Sequence, residues 1–122
     1  MRPLKRVLVV DDEPKICKFL KEFLELHHYE VVTASHGLEA LECVKQQPMD
    51  LILLDVVMPE LDGWQVLTQL KHHEPTRSIP VIMLTAKGDA NALLNSQRLG
   101  AADHFIKPFN PNELLGFLRR YL

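Results

Sequence analysis

Five short, nearly unbroken apolar runs punctuate the chain, at Val7-Leu8-Val9-Val10, Val31-Val32, Leu51-Ile52-Leu53-Leu54, Val81-Ile82-Met83-Leu84 and Phe105-Ile106. A strand with one face in water alternates apolar and polar residues, so continuous apolarity predicts strands covered on both faces. Longer stretches of helical period separate the runs. The clearest is Ile16, Phe19, Leu20, Phe23 and Leu24, whose i, i+3, i+4 spacing predicts one buried stripe. Strand and helix alternate five times, which calls for an α/β fold: a doubly wound five-stranded parallel sheet flanked by five helices and joined by right-handed crossovers.

The punctuation agrees. Pro14 and Pro111 suit first helical turns, where a missing N–H has no partner to lose. Asn110 is placed to cap the last helix, with Glu113 reaching back in a capping box, and Gly100 to end the fourth predicted helix at positive φ. The 122 residues predict a single domain over 1–122, with no output domain in this chain and no internal repeat. Apolar content of 47% with 25% charged residues excludes a disordered chain. A net charge of -2 supplies no broad positive field for phosphodiester backbones, so direct nucleic-acid binding is not expected. Val7 to Val10 ends at once in Asp11-Asp12-Glu13, too short a run for a signal peptide or membrane insertion. Cys17 and Cys43 fall in helix-like stretches and read as small hydrophobes, which predicts a reducing, cytoplasmic setting.

Ligands of open parallel sheets bind beyond the carboxyl ends of the strands, so the residues that close each run matter most. The first run ends at Asp11-Asp12, the third at Asp55, the fourth at Thr85 and the fifth at Lys107; the second ends blandly at Thr33-Ala34. Three converging carboxylates repel one another unless a cation joins them. An all-oxygen set with no Cys or His points to Mg2+, which keeps water positions open for a phosphoryl oxygen. With Thr85 and Lys107 as further oxygen partners, this is equipment for phosphoryl transfer onto a carboxylate. Each residue singly is better explained as a helix cap or strand end, Asp12 before Pro14 being the obvious cap; together they are not. The histidine pairs His27-His28 and His72-His73 lie near predicted helix ends and point apart, His36 is expected in a turn, and Trp64 is expected to pack on the third helix.

On these residues the chain resembles the receiver domain of two-component response regulators over its whole length. The likeness is carried by Val9-Val10-Asp11-Asp12-Glu13, Leu54-Asp55-Val56-Val57-Met58-Pro59-Glu60-Leu61-Asp62-Gly63, Leu84-Thr85-Ala86 and Gly100-Ala101-Ala102-Asp103-His104-Phe105-Ile106-Lys107-Pro108-Phe109. The resemblance implies a flavodoxin-like sheet of strand order 2-1-3-4-5 and a phosphoryl group accepted on Asp55 from a histidine kinase or phosphotransfer histidine. It implies Mg2+ held by Asp11, Asp12, Asp55 and the Val57 carbonyl, a switch hydroxyl at Thr85, an oxygen-binding Lys107, and a cis Lys107-Pro108 bond. The phosphorylated state would change the face built from the fourth helix, fifth strand and fifth helix, for a downstream effector protein or output domain.

Three departures qualify that picture. His104 stands where the family commonly has a switch Tyr or Phe. Ala102, Leu93 and Phe117 replace charged positions used for dimers in one subfamily, so a monomer or weak dimer is expected, with Leu93 and Phe117 as a candidate apolar patch. Val57 and Lys87, two residues beyond Asp55 and Thr85, offer no general base, which predicts a long-lived phosphoryl group. The competing readings are a phosphorylation-independent interaction module and a small Mg2+-dependent phosphotransferase with an Asp nucleophile. A glycine-rich nucleotide cradle is absent from the first turn.

Overall fold

A computed structural model describes residues 3–122. Its order is β1 (Arg6–Val10), α1 (Pro14–Leu26), β2 (Glu30–Ala34), α2 (Gly37–Gln46), β3 (Leu51–Asp55), α3 (Gly63–Lys71), α4 (Glu74–Arg77), β4 (Val81–Ala86), α5 (Ala92–Leu99), β5 (Asp103–Lys107) and α6 (Pro111–Tyr121). All five strands are parallel, in the order β2-β1-β3-β4-β5. Each apolar run lies inside a strand, and the fourth and fifth predicted helices are α5 and α6.

The period of two along each strand divides the core. Val7, Val9, Leu51, Leu53, Ile82 and Leu84 pack with Leu20 and Leu24 of α1 and with Leu114, Leu115 and Leu118 of α6. Leu8, Val10, Ile52, Leu54, Val81 and Met83 turn to the other face, against Ala40 of α2 and Val66, Leu67 and Leu70 of α3. At roughly 1.5–3 kcal/mol per fully buried aliphatic side chain, this two-sided core is the main favourable contribution to the fold. The edge strands are less covered, and Ile106 on β5 is 51% exposed.

The helix ends mix agreement and correction. Pro14 and Pro111 open their helices, Gly100 closes α5 at φ 89°, and the Asn110 side chain accepts from the Asn112 N–H at 2.8 Å. The expected Glu113 half of that capping box is not formed; a complete box instead joins Asp62 and Gln65 at the start of α3. His36 is a cap rather than a turn residue, its Nδ1 accepting from the Glu39 N–H at 3.2 Å. The cap of α1 is Glu13, not Asp12. A sixth helix, the single turn α4, joins the five expected, opened by Pro75 and anchored by the buried Thr76 hydroxyl, which donates to the Leu70 carbonyl at 2.7 Å. The α1 stripe is narrower than its period suggests: Leu20 and Leu24 are buried, Ile16 and Phe23 partly so, whereas Phe19 is 47% exposed. Phe19 stacks on Phe23 with centroids 5.9 Å apart and lines a cavity at the carboxyl edge of the sheet.

Candidate functional site

Three strand ends deliver the acids to one place. β1 stops after Val10 and leaves Asp11 fully buried behind Asp12, while β3, pressed between β1 and β4, ends in Asp55 at 4% exposure. Carboxylate oxygens of Asp11, Asp12 and Asp55 lie within 4.8 Å of one another. From the end of β5, Lys107 reaches across: its ammonium donates to Asp11 Oδ2 at 2.7 Å and stands 3.2 Å from Asp55 Oδ1 and 3.9 Å from Glu13. The remaining Asp11 oxygen accepts from the Glu13 N–H at 2.9 Å, which ties the buried carboxylate to the start of α1.

The electrostatics follow from this packing. Burial, reinforced by the Asp11 charge and opposed by Lys107, pushes the Asp55 carboxyl up to about 6. Burial alone would lower the Lys107 ammonium, but its hydrogen bond to Asp11 and the Asp11 and Asp55 charges carry it above its ordinary value. One ammonium therefore does not neutralise the cluster. An all-carboxylate oxygen set with surplus negative charge fits a hard divalent cation.

Asp55 opens outward into a cavity of about 880 Å³ that also touches Asp12, Val57, Lys87, Lys107 and Phe19. Val57 is 67% exposed at its mouth. The turn that follows Asp55 is shaped by Gly63, where a Cβ would fall 2.2 Å from the Asp55 carbonyl oxygen. No side chain but hydrogen is accommodated there, and the Asp62-Gly63 pair was the only hint of it in the sequence.

Thr85 and His104 stand apart from the cluster. Thr85 follows Leu84, the register partner of Asp55, but its buried hydroxyl turns to the Phe105 carbonyl at 3.5 Å. His104 is half-buried and lines a separate cavity of about 280 Å³ with Glu113 and Phe117. Phe117 is partly buried, engaged edge-to-face with Phe105 at 4.7 Å and lying under Arg120. The exposed apolar neighbours on α5 are Leu93 and Leu94. Lys107-Pro108 is cis. Ile16, Phe19 and Phe109, which wall the cavity, carry no signal that separates them from ordinary core residues by period alone.

Comparison with known proteins yields one consistent family. Residues 7–119 match the response regulator receiver domain. The transcriptional regulatory protein SrrA of Staphylococcus aureus is 43% identical over 109 residues, which is 89% of this chain and 44% of that protein, so the chain spans less than half of its relative. Among solved structures, the chemotaxis protein CheY4 of Vibrio cholerae superposes with a TM-score of 0.92 at 33% identity, covering 98% of this chain and 99% of that one. A response regulator receiver domain protein from Clostridium thermocellum gives 0.88 at 31% identity, with 97% and 94% covered.

Proposed function

This chain belongs to the response regulator receiver domain family of two-component signalling, and from that membership we propose that Asp55 is its phospho-acceptor. The observation that carries the reading is the near-buried Asp55 carboxylate, pressed against Asp11 and Asp12, held 3.2 Å from Lys107 and open on one side to a cavity. Asp11, Asp12, Asp55 and the Val57 carbonyl would hold Mg2+, which when bound offsets the carboxylate charge and draws a phosphoryl oxygen into line.

The rest is done by the chain's own groups. An Asp55 oxygen forms the new bond to phosphorus from within the cluster while the leaving group departs toward the cavity. Lys107 pairs one phosphoryl oxygen. The Thr85 hydroxyl leaves its long bond to Phe105 for another, and His104, beside Phe105 on the adjacent strand β5, follows it, altering the face of α5, β5 and α6. The donor is a histidine kinase or phosphotransfer histidine, the receiver of the signal an effector protein or output domain, and the setting cytoplasmic. The role is that of a signalling phospho-acceptor and not of an enzyme acting on a separate substrate.

Borohydride reduction of the phosphorylated protein converts an aspartyl phosphate to homoserine, which peptide mass analysis can place. Homoserine at position 55 alone is expected; homoserine at Asp11 or Asp12, or nowhere after a phosphoryl group has been gained, contradicts the assignment.

A further inference from the structure

A second cavity lies at the other end of the sheet. Asp55 and Thr85 stand where β3 and β4 stop, whereas this cavity, of about 550 Å³, opens where the same strands begin, between the carboxyl-terminal halves of α2 and α3 and the single turn α4. Its floor is apolar, with Leu41 and Val44 partly buried on α2 and Leu70 of α3 buried. Its rim is polar and exposed, with Lys45 on α2, Gln69 on α3, and His72 and His73 on the link to α4.

The walls are tied in place. The buried Thr76 hydroxyl donates to the Leu70 carbonyl at 2.7 Å, and the Lys71 ammonium donates to the Arg77 and Ile79 carbonyls at 3.0 and 2.8 Å, so α4 and the chain after it are held back against α3. The His72 ring is fixed as well, its Nδ1 donating to the Thr68 carbonyl at 2.7 Å. Between the two histidines the backbone passes from φ -94°, ψ 0° to φ -112°, ψ 119° and leaves the helix. The pair therefore borders one cavity, rather than pointing apart as neighbours on a continuous helix do.

The rim selects the occupant. Lys45 carries a positive charge, Gln69 and His73 bring further N–H groups, and no carboxylate is among the residues that line the cavity. Glu42 meets Lys45 at 3.6 Å from outside that lining, with both side chains largely exposed, an ion pair of the weak and exchangeable kind. A bare cation is repelled by Lys45, and a neutral hydrocarbon leaves the donors unmatched. An apolar body carrying one carboxylate answers both floor and rim, and the volume is in the range of small-molecule sites.

We propose that the cavity between α2, α3 and α4 binds a small apolar carboxylate, with Leu41, Val44 and Leu70 against its body and Lys45 turned from Glu42 onto its charge. The site is remote from Asp55 and does not rest on the phospho-acceptor reading.

The test titrates phenylbutyrate into the full chain, followed by two-dimensional amide NMR, beside its uncharged isostere phenylbutyramide. Saturable shifts centred on Leu41, Val44, Lys45, Gln69 and His72 are expected, with a dissociation constant of about 1 mM or below. The amide is expected to bind about fivefold more weakly, and Lys45→Gln to remove that preference without changing the amide's affinity. Gln69→Trp, at an exposed position on the rim, is expected to fill the mouth and abolish binding while the spectrum away from the cavity is kept. No saturable shift up to about 10 mM, shifts centred elsewhere, or equal binding of acid and amide overturns the proposal. An acid affinity unchanged in Lys45→Gln overturns the role of Lys45, and one unchanged in Gln69→Trp places the ligand outside this cavity.

Discussion

The strongest constraint at the residue scale is the charge that Asp55 must carry. Its folded carboxyl sits near 6 against an ordinary 3.8, chiefly because it is buried and secondly because Asp11 adjoins it. Between about pH 4 and 6 the folded state keeps a proton that the unfolded state has lost, so this group lowers stability as pH rises through that window. Asp55→Asn is expected to stabilise the metal-free protein at pH 7 by up to about 3 kcal/mol, with the advantage gone below about pH 4. Thermal melts in chelator at the two pH values check it, and a variant no more stable at pH 7 contradicts the electrostatic account. Around the acceptor, Val57 is apolar and Lys87 a cation, and neither can take a proton from an attacking water. The phosphoryl group is therefore expected to persist for many minutes without a phosphatase, as followed by intact mass; loss within seconds refutes this. Asp11, Asp12, Asp55 and Lys107 were readable because each ends an apolar run, and strand geometry brings run ends to one edge. Phe19 was not, because a helical period gives the apolar stripe but not how far the facing layer extends along it. Nor was the His36 cap, since imidazole is not among the usual N-cap side chains.

At the scale of elements, the loop from β3 to α3 fixes where Asp55 can be. The Gly63 N–H donates to the Val56 carbonyl at 2.9 Å, and its α-carbon lies so close to the Asp55 carbonyl that a methyl group cannot fit. Gly63→Ala must displace backbone rather than a flexible side chain, with an expected loss of at least 1–3 kcal/mol, roughly the range for overpacking. Asp62→Ala removes only the cap and should cost about 1 kcal/mol. Denaturant titrations separate the two, and a Gly63→Ala protein as stable as Asp62→Ala would show that the loop relaxes freely. The five strands and five longer helices were legible because their apolar periods are sustained. α4 was not: four residues, Glu74–Arg77, are too few to display a period, and the turn is recognisable only from the buried Thr76 hydroxyl that closes it. The Glu113 capping box failed where Asp62 and Gln65 succeeded, although both sequences carry the spacing; local pattern names candidates and does not choose among them.

For the whole molecule, the account joins an acidic pocket to a divalent cation and a phosphoryl group. Mg2+ is expected to stabilise the folded state at pH 7 through preferential binding, by about 2.7 kcal/mol at a hundred times its dissociation constant, and so to raise the melting temperature. The gain should shrink below about pH 6, where protons compete for Asp55. A Mg2+ effect as large at pH 5 as at pH 7 would place the ion elsewhere. The doubly wound order β2-β1-β3-β4-β5 is what gathers the cluster, because it sets β1 beside β3, and so Asp11 and Asp12 beside Asp55. The most direct measurement is intact mass after incubation with phosphoramidate and Mg2+, beside a metal-free sample and Asp55→Asn. The account predicts a gain of one phosphoryl group in the wild-type protein with Mg2+ and none in the other two. A gain that survives in Asp55→Asn, or no gain where a known receiver domain is phosphorylated, would contradict it.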